Sequence, residues 1–189
     1  MVGTAHRIEP LGGQWARALR GRASAVALVL LCLACSAKAD TLSAGLRAYA
    51  RHDYVRAAPL LLVEAERGVP IAQTYLGYMY QNGLGVPRDY VVAARWLNQA
   101  AQQGEPTAQF LLGLLFDKGY GVPQDWVQAE IWLNLAASQA SGKEREYWAR
   151  MRDAVAQKLT LDQLSEAQQR AFAWAPIAIR REGPLSRRY

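Results

Sequence analysis

The side chains that most often carry out covalent chemistry are scarce in this sequence. The 189 residues include two cysteines, Cys32 and Cys35, and His52 is the one histidine beyond residue 39. A general base needs a partner that orients it, and His52 instead precedes Asp53, a candidate helix cap. The count of cysteines and histidines also excludes a Cys/His zinc cluster. We therefore expect no catalytic residue, no metal site, no cofactor and no enzymatic activity.

Two glycine pairs invite comparison with phosphate-binding loops. Gly83-x-Gly85 and Gly119-x-Gly121 lack the third glycine of a dinucleotide-binding fingerprint, and they follow predicted helices rather than strands. We expect no phosphate loop at either pair, and the glycines are interpreted as helix terminators.

Residues 1–39 have the features of an export signal. Basic residues precede an uncharged apolar run over residues 23–34, which is shorter than the roughly 20 residues that a membrane-spanning helix needs. Ala37-x-Ala39 supplies the small residues that a signal peptidase reads. We expect a periplasmic or secreted protein with no stable membrane span. Two alternatives remain open: an uncleaved segment that anchors the chain, and a lipoprotein acylated at Cys35.

The charge of the chain does not indicate nucleic-acid binding. The net charge is +6, and removal of residues 1–39 takes away five basic residues and one acidic residue, which leaves +2. Much of the remaining basic excess lies in residues 176–189, a tail that we expect to be disordered. Both cysteines lie within the export segment, so the exported chain has no disulfide framework.

A 36-residue repeat fills the centre of the chain. Residues 72–107 align with residues 108–143 without a gap. The residues that recur are Ala72, Gln73, Leu76, Gly77, Gly83, Gly85, Val86, Pro87, Asp89, Ala93, Trp96, Leu97, Asn98, Ala100 and Ala101. An incomplete unit lies near residues 42–71, and residues 144–175 read as a helical cap. The repeat domain is therefore expected to span residues 40–175.

Each unit has the pattern of two antiparallel helices. Ala72, Leu76 and Met79 share one face of the first helix, and the segment from Gly83 to Pro87 ends that helix. Asp89 can then cap the second helix. Gly77 and Gly113 indicate that two helices approach closely, and Trp132 is expected to fill the space between helices. In the last helix, Thr160 and Gln163 predict a capping box. The fold class predicted is all-α, an α-solenoid of helix pairs with C-terminal capping helices.

The pattern Ala-x3-Leu-Gly-x-Met-Tyr-x2-Gly-x-Gly-Val-x2-Asp-x3-Ala-x2-Trp-x3-Ala-Ala resembles the Sel-one-like repeat, a relative of the tetratricopeptide repeat. The resemblance implies an α-solenoid that binds proteins or peptides, often in bacterial envelopes. We expect a non-catalytic scaffold or regulator in the cell envelope. The alternative is a hydrolase directed at the cell wall or at β-lactams, although the chain has neither the cysteines nor the Ser-x-x-Lys motif of such enzymes.

Three apolar residues are candidates for contact with a protein or peptide partner. When Ala72, Leu76 and Met79 face inward, Tyr78 points outward, as does Leu114 one repeat later, with Phe110 beside it. Outward apolar residues stacked across units can form a groove for a partner helix or strand. The alternative is that these side chains pack against the adjacent unit.

The export signal predicts the start of the mature chain. Mass spectrometry of the protein isolated from its native host should find an N-terminus at Asp40, because cleavage is expected after Ala39. A cytosolic chain that begins at Met1 would contradict this prediction.

Overall fold

The computed structural model describes residues 41–174, which form helices and short turns without any strand. The expected export signal (1–39) and basic tail (176–189) lie outside the described residues. The helices are α1, which covers residues 41–50 of the described range, α2 Tyr54–Glu66, α3 Pro70–Asn82, α4 Tyr90–Gln102, α5 Pro106–Lys118, α6 Trp126–Gln139, α7 Gly142–Ala156 and α8 Leu161–Phe172.

Consecutive helices pack against each other along the described chain, from α2 on α3 to α6 on α7. The odd-numbered helices α3 and α5 also touch, which places the first helices of neighbouring units side by side. At the C-terminal end α6 contacts both α7 and α8, which act as the cap. The predicted all-α solenoid of helix pairs is confirmed.

Short polar side chains start the second helix of each unit. Asp89 Oδ1 accepts hydrogen bonds from the backbone N–H groups of Val91 and Val92, at 2.9 and 3.0 Å. Asp125 Oδ1 accepts one from Gln128 N at 3.0 Å. These carboxylates satisfy N–H groups that have no partner within the helix and lie near the positive end of its dipole. Both predicted caps are confirmed.

The two helices of a unit approach closely at a glycine. A β-carbon on Gly77 would lie 2.7 Å from Leu97 Cγ, and one on Gly113 would lie 2.8 Å from Leu133 Cγ. A β-carbon does not fit at these distances unless the leucine shifts. The backbone of α3 therefore packs directly on Leu97 of α4, and the backbone of α5 packs directly on Leu133 of α6. The predicted reason for a glycine inside each of these helices is confirmed.

A second pair of glycines joins each unit to the one before it. Gly85 and Gly121 have φ values of 68° and 71°, in the left-handed region that favours glycine. A β-carbon on Gly85 would lie 2.4 Å from the carbonyl oxygen of Tyr54, and one on Gly121 would lie 2.0 Å from that of Tyr90. The loop after each first helix therefore rests on the first residue of the preceding unit's second helix.

A buried glutamine connects three successive helices. Gln73 Nε2 donates to the carbonyl oxygen of Ala65 in α2 at 3.0 Å, and Gln73 Oε1 accepts from Gln103 Nε2, just after α4, at 2.9 Å. The same two bonds recur one repeat later at Ala101, Gln109 and Gln139. Gln109 is 0% exposed, and its hydrogen bond to Ala101 is buried.

The C-terminal half of the core is built around Trp132. This side chain is 5% exposed, in agreement with its predicted position between helices, and its ring centroid lies 6.2 Å from that of Trp174. The predicted capping box of α8 is present, because Gln163 N donates to Thr160 Oγ1 while Gln163 Oε1 accepts from Thr160 N. Trp148 and Val155 of α7 and Ala167 and Ala171 of α8 belong to the same buried cluster as Trp132, so both capping helices contribute apolar side chains to the core.

The contact between units can be tested with two glycines that share a left-handed backbone. A β-carbon on Gly121 would collide with Tyr90, whereas one on Gly68, at φ 86°, would have no described atom outside its immediate neighbours within 4 Å. Both changes to alanine impose backbone strain of about 1–2 kcal/mol. Gly121→Ala should lower the free energy of unfolding in urea by a further 1–3 kcal/mol or so. Equal losses for Gly68→Ala and Gly121→Ala would contradict the close contact.

Candidate partner-binding groove

The first helices of three successive units, α1, α3 and α5, border a groove with a volume of about 260 Å³. Its walls are mainly apolar and aromatic. The residues that line it are Tyr49, Ile71, Thr74, Tyr75, Tyr78, Glu105, Thr107 and Leu111. The groove exists because the units stack with their first helices adjacent, so it depends on the glycine and glutamine contacts between units.

Tyrosines form one wall of the groove. The rings of Tyr49 and Tyr75 meet edge to face, with centroids 4.7 Å apart and planes at 74°, the arrangement that aromatic quadrupoles favour. Burial, with smaller contributions from the neighbouring Tyr78, Tyr54 and Tyr75, raises the pKa of Tyr49 to about 12. Tyr49 therefore stays neutral at physiological pH. Tyr78, at 37% exposure, presents its ring to solvent at the mouth of the groove.

A carboxylate lies beside this aromatic wall. Glu105 caps α5, where its Oε2 accepts a hydrogen bond from Ala108 N at 2.6 Å. The same oxygen lies 3.3 Å from the hydroxyl of Thr74 in α3. Glu105 is acidic, and the other lining residues are uncharged types, without Lys, Arg or His. The groove thus combines apolar surface with one negative group.

The structure separates the three candidate contact residues. Tyr78 lines the groove, as an outward position predicts. The expected outward position of Phe110 is wrong: the side chain is 6% exposed and stacks on Trp148 of α7, with centroids 5.0 Å apart and planes at 12°. Leu114 is half-buried and packs against the same core. For Phe110 the packing alternative holds, because α7 extends the helical stack beyond the second repeat and covers this side chain.

Sequence reasoning missed several residues of the groove, namely Tyr49, Ile71, Tyr75 and Leu111. A signal was available for some of them, since Tyr75 and Leu111 are equivalent positions of the two repeats, one turn before Tyr78 and Leu114. Tyr49 gives no such signal, because α1 precedes the gapless alignment.

The remaining polar candidates lie elsewhere. His52 is exposed, has φ 62°, and places its ring 5.8 Å from that of Tyr54 rather than in the groove. Within residues 41–174, no three His, Cys, Asp or Glu side chains are grouped as metal ligands would be. In the same range, none of the helices has the length and apolar character needed to cross a bilayer.

Comparison with known proteins agrees with this architecture. A protective antigen present in uropathogenic Escherichia coli strains, which displays an SLR fold, superposes with a TM-score of 0.65 at 28% identity. A Sel1 repeat protein from Oxalobacter formigenes superposes with a TM-score of 0.51 at 30% identity. Residues 70–105 and 106–141 each match the family model of the Sel1 repeat. The chain contains two Sel1 repeats, as the resemblance of its sequence predicts.

The Sel1-like chain is shorter than the structures it resembles. The match to the antigen covers 71% of this chain and 29% of that one, and the match to the Oxalobacter protein covers 61% and 54%. The chain thus spans less than a third of the first structure and about half of the second. No curated protein matches the sequence.

Two buried carboxylates distinguish the second Sel1 repeat from the first. Burial tends to raise the pKa of Asp117, but hydrogen bonds from Lys158 and Lys118 outweigh it and lower the pKa. Glu130 of α6 is 2% exposed, and its Oε2 accepts no hydrogen bond within the described residues. The pKa of Glu130 is raised to about 7, mainly by burial; the nearby charge of Arg152 opposes this shift, and that of Asp153 adds to it.

The raised pKa of Glu130 predicts a pH dependence of stability. The folded chain holds a proton between pH 4.5 and about 7 that the unfolded chain releases, so stability falls as pH rises through this window. The full effect is on the order of 3 kcal/mol. Glu130→Gln should make the melting temperature depend less on pH between pH 4.5 and 8. Asp117 does not contribute in this range, because its pKa is lowered from 3.8. Parallel melting profiles for the two proteins would contradict the assignment.

Proposed function

We propose that this Sel1-like protein is a non-catalytic scaffold of the bacterial cell envelope that binds a segment of a partner protein in the groove between α1, α3 and α5. The observation that carries the proposal is the groove itself, where Tyr75, Tyr78 and Leu111 line a common cleft formed by three units. The family supports it as well, since Sel1 repeats generally serve as scaffolds for protein interaction.

The size of the groove favours a polypeptide over a small molecule. Small-molecule sites usually enclose about 300–1,000 Å³, whereas this groove offers about 260 Å³ and is open to solvent. Such a volume accommodates one or two anchoring side chains of a segment that continues across neighbouring surface. Partner segments bind helical scaffolds in this way, with a few buried anchors supplying most of the affinity.

The envelope location rests on the sequence of residues 1–39, which lie outside the described residues. Their basic start, short apolar run and Ala37-x-Ala39 favour export. The periplasm or the medium is the compartment proposed, and membrane anchoring through an uncleaved signal or through Cys35 is the alternative.

The hydrolase alternative has little support from the groove. Acyl transfer or peptide hydrolysis of the usual kind needs a nucleophile within reach of a base that is itself oriented. The hydroxyl of Thr74 lies 2.9 Å from the carbonyl oxygen of Pro70 in its own helix and has no imidazole beside it among the groove residues. The scaffold is therefore the function that the site supports best.

Site-specific photocrosslinking tests the proposed function. A photoreactive phenylalanine analogue at position 78 of the full chain, expressed in the native host, should give one dominant protein adduct. The same analogue at Val55 is the matched control, because Val55 is 76% exposed on α2 and does not line the groove. Tyr78→Ser should then weaken binding of the captured partner by at least about tenfold while leaving the melting temperature unchanged.

Two results would contradict the proposed function. Equal adducts from positions 78 and 55 would mean that the groove has no special role in capture. A fall in the melting temperature of Tyr78→Ser as large as that of Trp132→Ala, which removes a core side chain, would assign Tyr78 to packing.

A further inference from the structure

The carboxylate of Glu105 has unused capacity to bind a cation. Both polar contacts of Glu105 within the described residues involve Oε2, which accepts a hydrogen bond from Ala108 N and lies 3.3 Å from the Thr74 hydroxyl. No Lys or Arg of residues 41–174 forms a salt bridge with it. Ionised carboxylates accept hydrogen bonds at both oxygens, so Oε1 remains able to accept from a ligand.

The surroundings of Glu105 strengthen its attraction for a positive group. The other residues that line the groove are apolar, aromatic or hydroxyl-bearing, so no cation of the lining offsets the negative charge. Tyrosine faces also attract cations, and a Lys or Arg stem packs well on apolar surface while its charged end reaches a carboxylate. An acidic ligand would instead meet like charge at this point.

The distance between the acidic and aromatic parts of the groove fits an extended chain. Thr74, which contacts Glu105, precedes Tyr78 by four residues in α3, which corresponds to about 6 Å along the helix axis. In an extended polypeptide, side chains two positions apart lie on the same face and are separated by roughly 6.6 Å. One residue of such a segment can therefore reach Glu105 while the residue two positions away contacts Tyr75 and Tyr78.

We propose that the groove selects an extended partner segment that has Lys or Arg at the Glu105 end and a large apolar residue two positions away, against Tyr75 and Tyr78. This inference rests on the proposed function, because it assumes that the groove is where a partner binds. It adds the chemical class of the segment that is recognised.

An array of blocked heptapeptides tests this specificity with the full-length protein. In each peptide, the position meant to reach Glu105 is Arg, Lys, Gln or Glu. The position two residues further along, meant to contact Tyr75 and Tyr78, is Phe, Leu or Ser, and all other positions are uncharged. Peptides with Arg or Lys and Phe or Leu should bind roughly five- to tenfold more tightly at low salt than their Gln counterparts. The preference should shrink in 1 M salt, because added ions screen the charge pair.

A matched pair of variants assigns the preference to one carboxylate. Glu105→Gln should abolish the difference between Arg and Gln peptides, since the amide oxygen can still cap α5 but has no charge. Glu66→Gln makes the same change of charge at an exposed position of α2 and should leave the preference intact. If Glu105→Gln proves unstable, the salt dependence of the unmodified protein still shows whether the preference is electrostatic.

The possible outcomes separate this inference from the proposed function. If Arg and Gln peptides bind equally and Tyr78→Ser abolishes their binding, the preference for a basic residue is overturned, but peptide binding in the groove is supported. A preference for Glu peptides, or binding that Tyr78→Ser does not affect, also overturns the inference. If no heptapeptide binds, the inference fails, and the crosslinking at position 78 decides the proposed function separately.

Discussion

Each complete repeat contains one buried glutamine that bonds to the helix before it and to the end of the helix after it. Gln73 and Gln109 each donate to a carbonyl oxygen in the last turn of the preceding helix. Each also accepts a hydrogen bond from a second glutamine, which lies just after α4 in the first repeat and at the end of α6 in the second. A buried amide without partners costs about 1–3 kcal/mol, so the helices are held where both ends of the amide are satisfied. The side-by-side placement of α3 and α5, and with it the groove, depends on this arrangement.

Much of the fold could be predicted because its signals are local. A glycine that ends a helix, an aspartate that caps the next one, and a glycine where two helices cross each act within a few residues, and the repeat shows them twice. The role of Gln73 could not be read in the same way, since its partners lie 8 and 30 residues away. A polar residue that recurs in each repeat indicates a structural role, but the sequence does not identify its hydrogen-bond partners.

The candidate site was harder to predict for a related reason. A helical wheel gives the direction of a side chain relative to its own helix, but it does not say which other helix covers that direction. Tyr78 keeps an outward position, with 37% of its surface exposed, whereas Phe110 is covered by Trp148 from α7, a helix outside the repeat pattern. Tyr49 was missed because α1 joins α2 through a three-residue turn and falls out of register with the later units.

The contacts between units affect how the protein can evolve by duplication of repeats. Gly85 meets Tyr54 as Gly121 meets Tyr90, and the two glutamines make matching bonds, so the joint on either side of a unit is the same. An in-frame duplication of 36 residues within the repeat region would therefore create a further joint of a kind that already works. Trp126 occupies the equivalent position at the start of α6, where no glycine of the described residues makes this contact and Lys158 Nζ lies 5.9 Å from the ring instead. Gene duplication can thus lengthen the surface that carries the groove by whole units, and later substitutions at groove positions such as Tyr75 and Leu111 can change each unit separately.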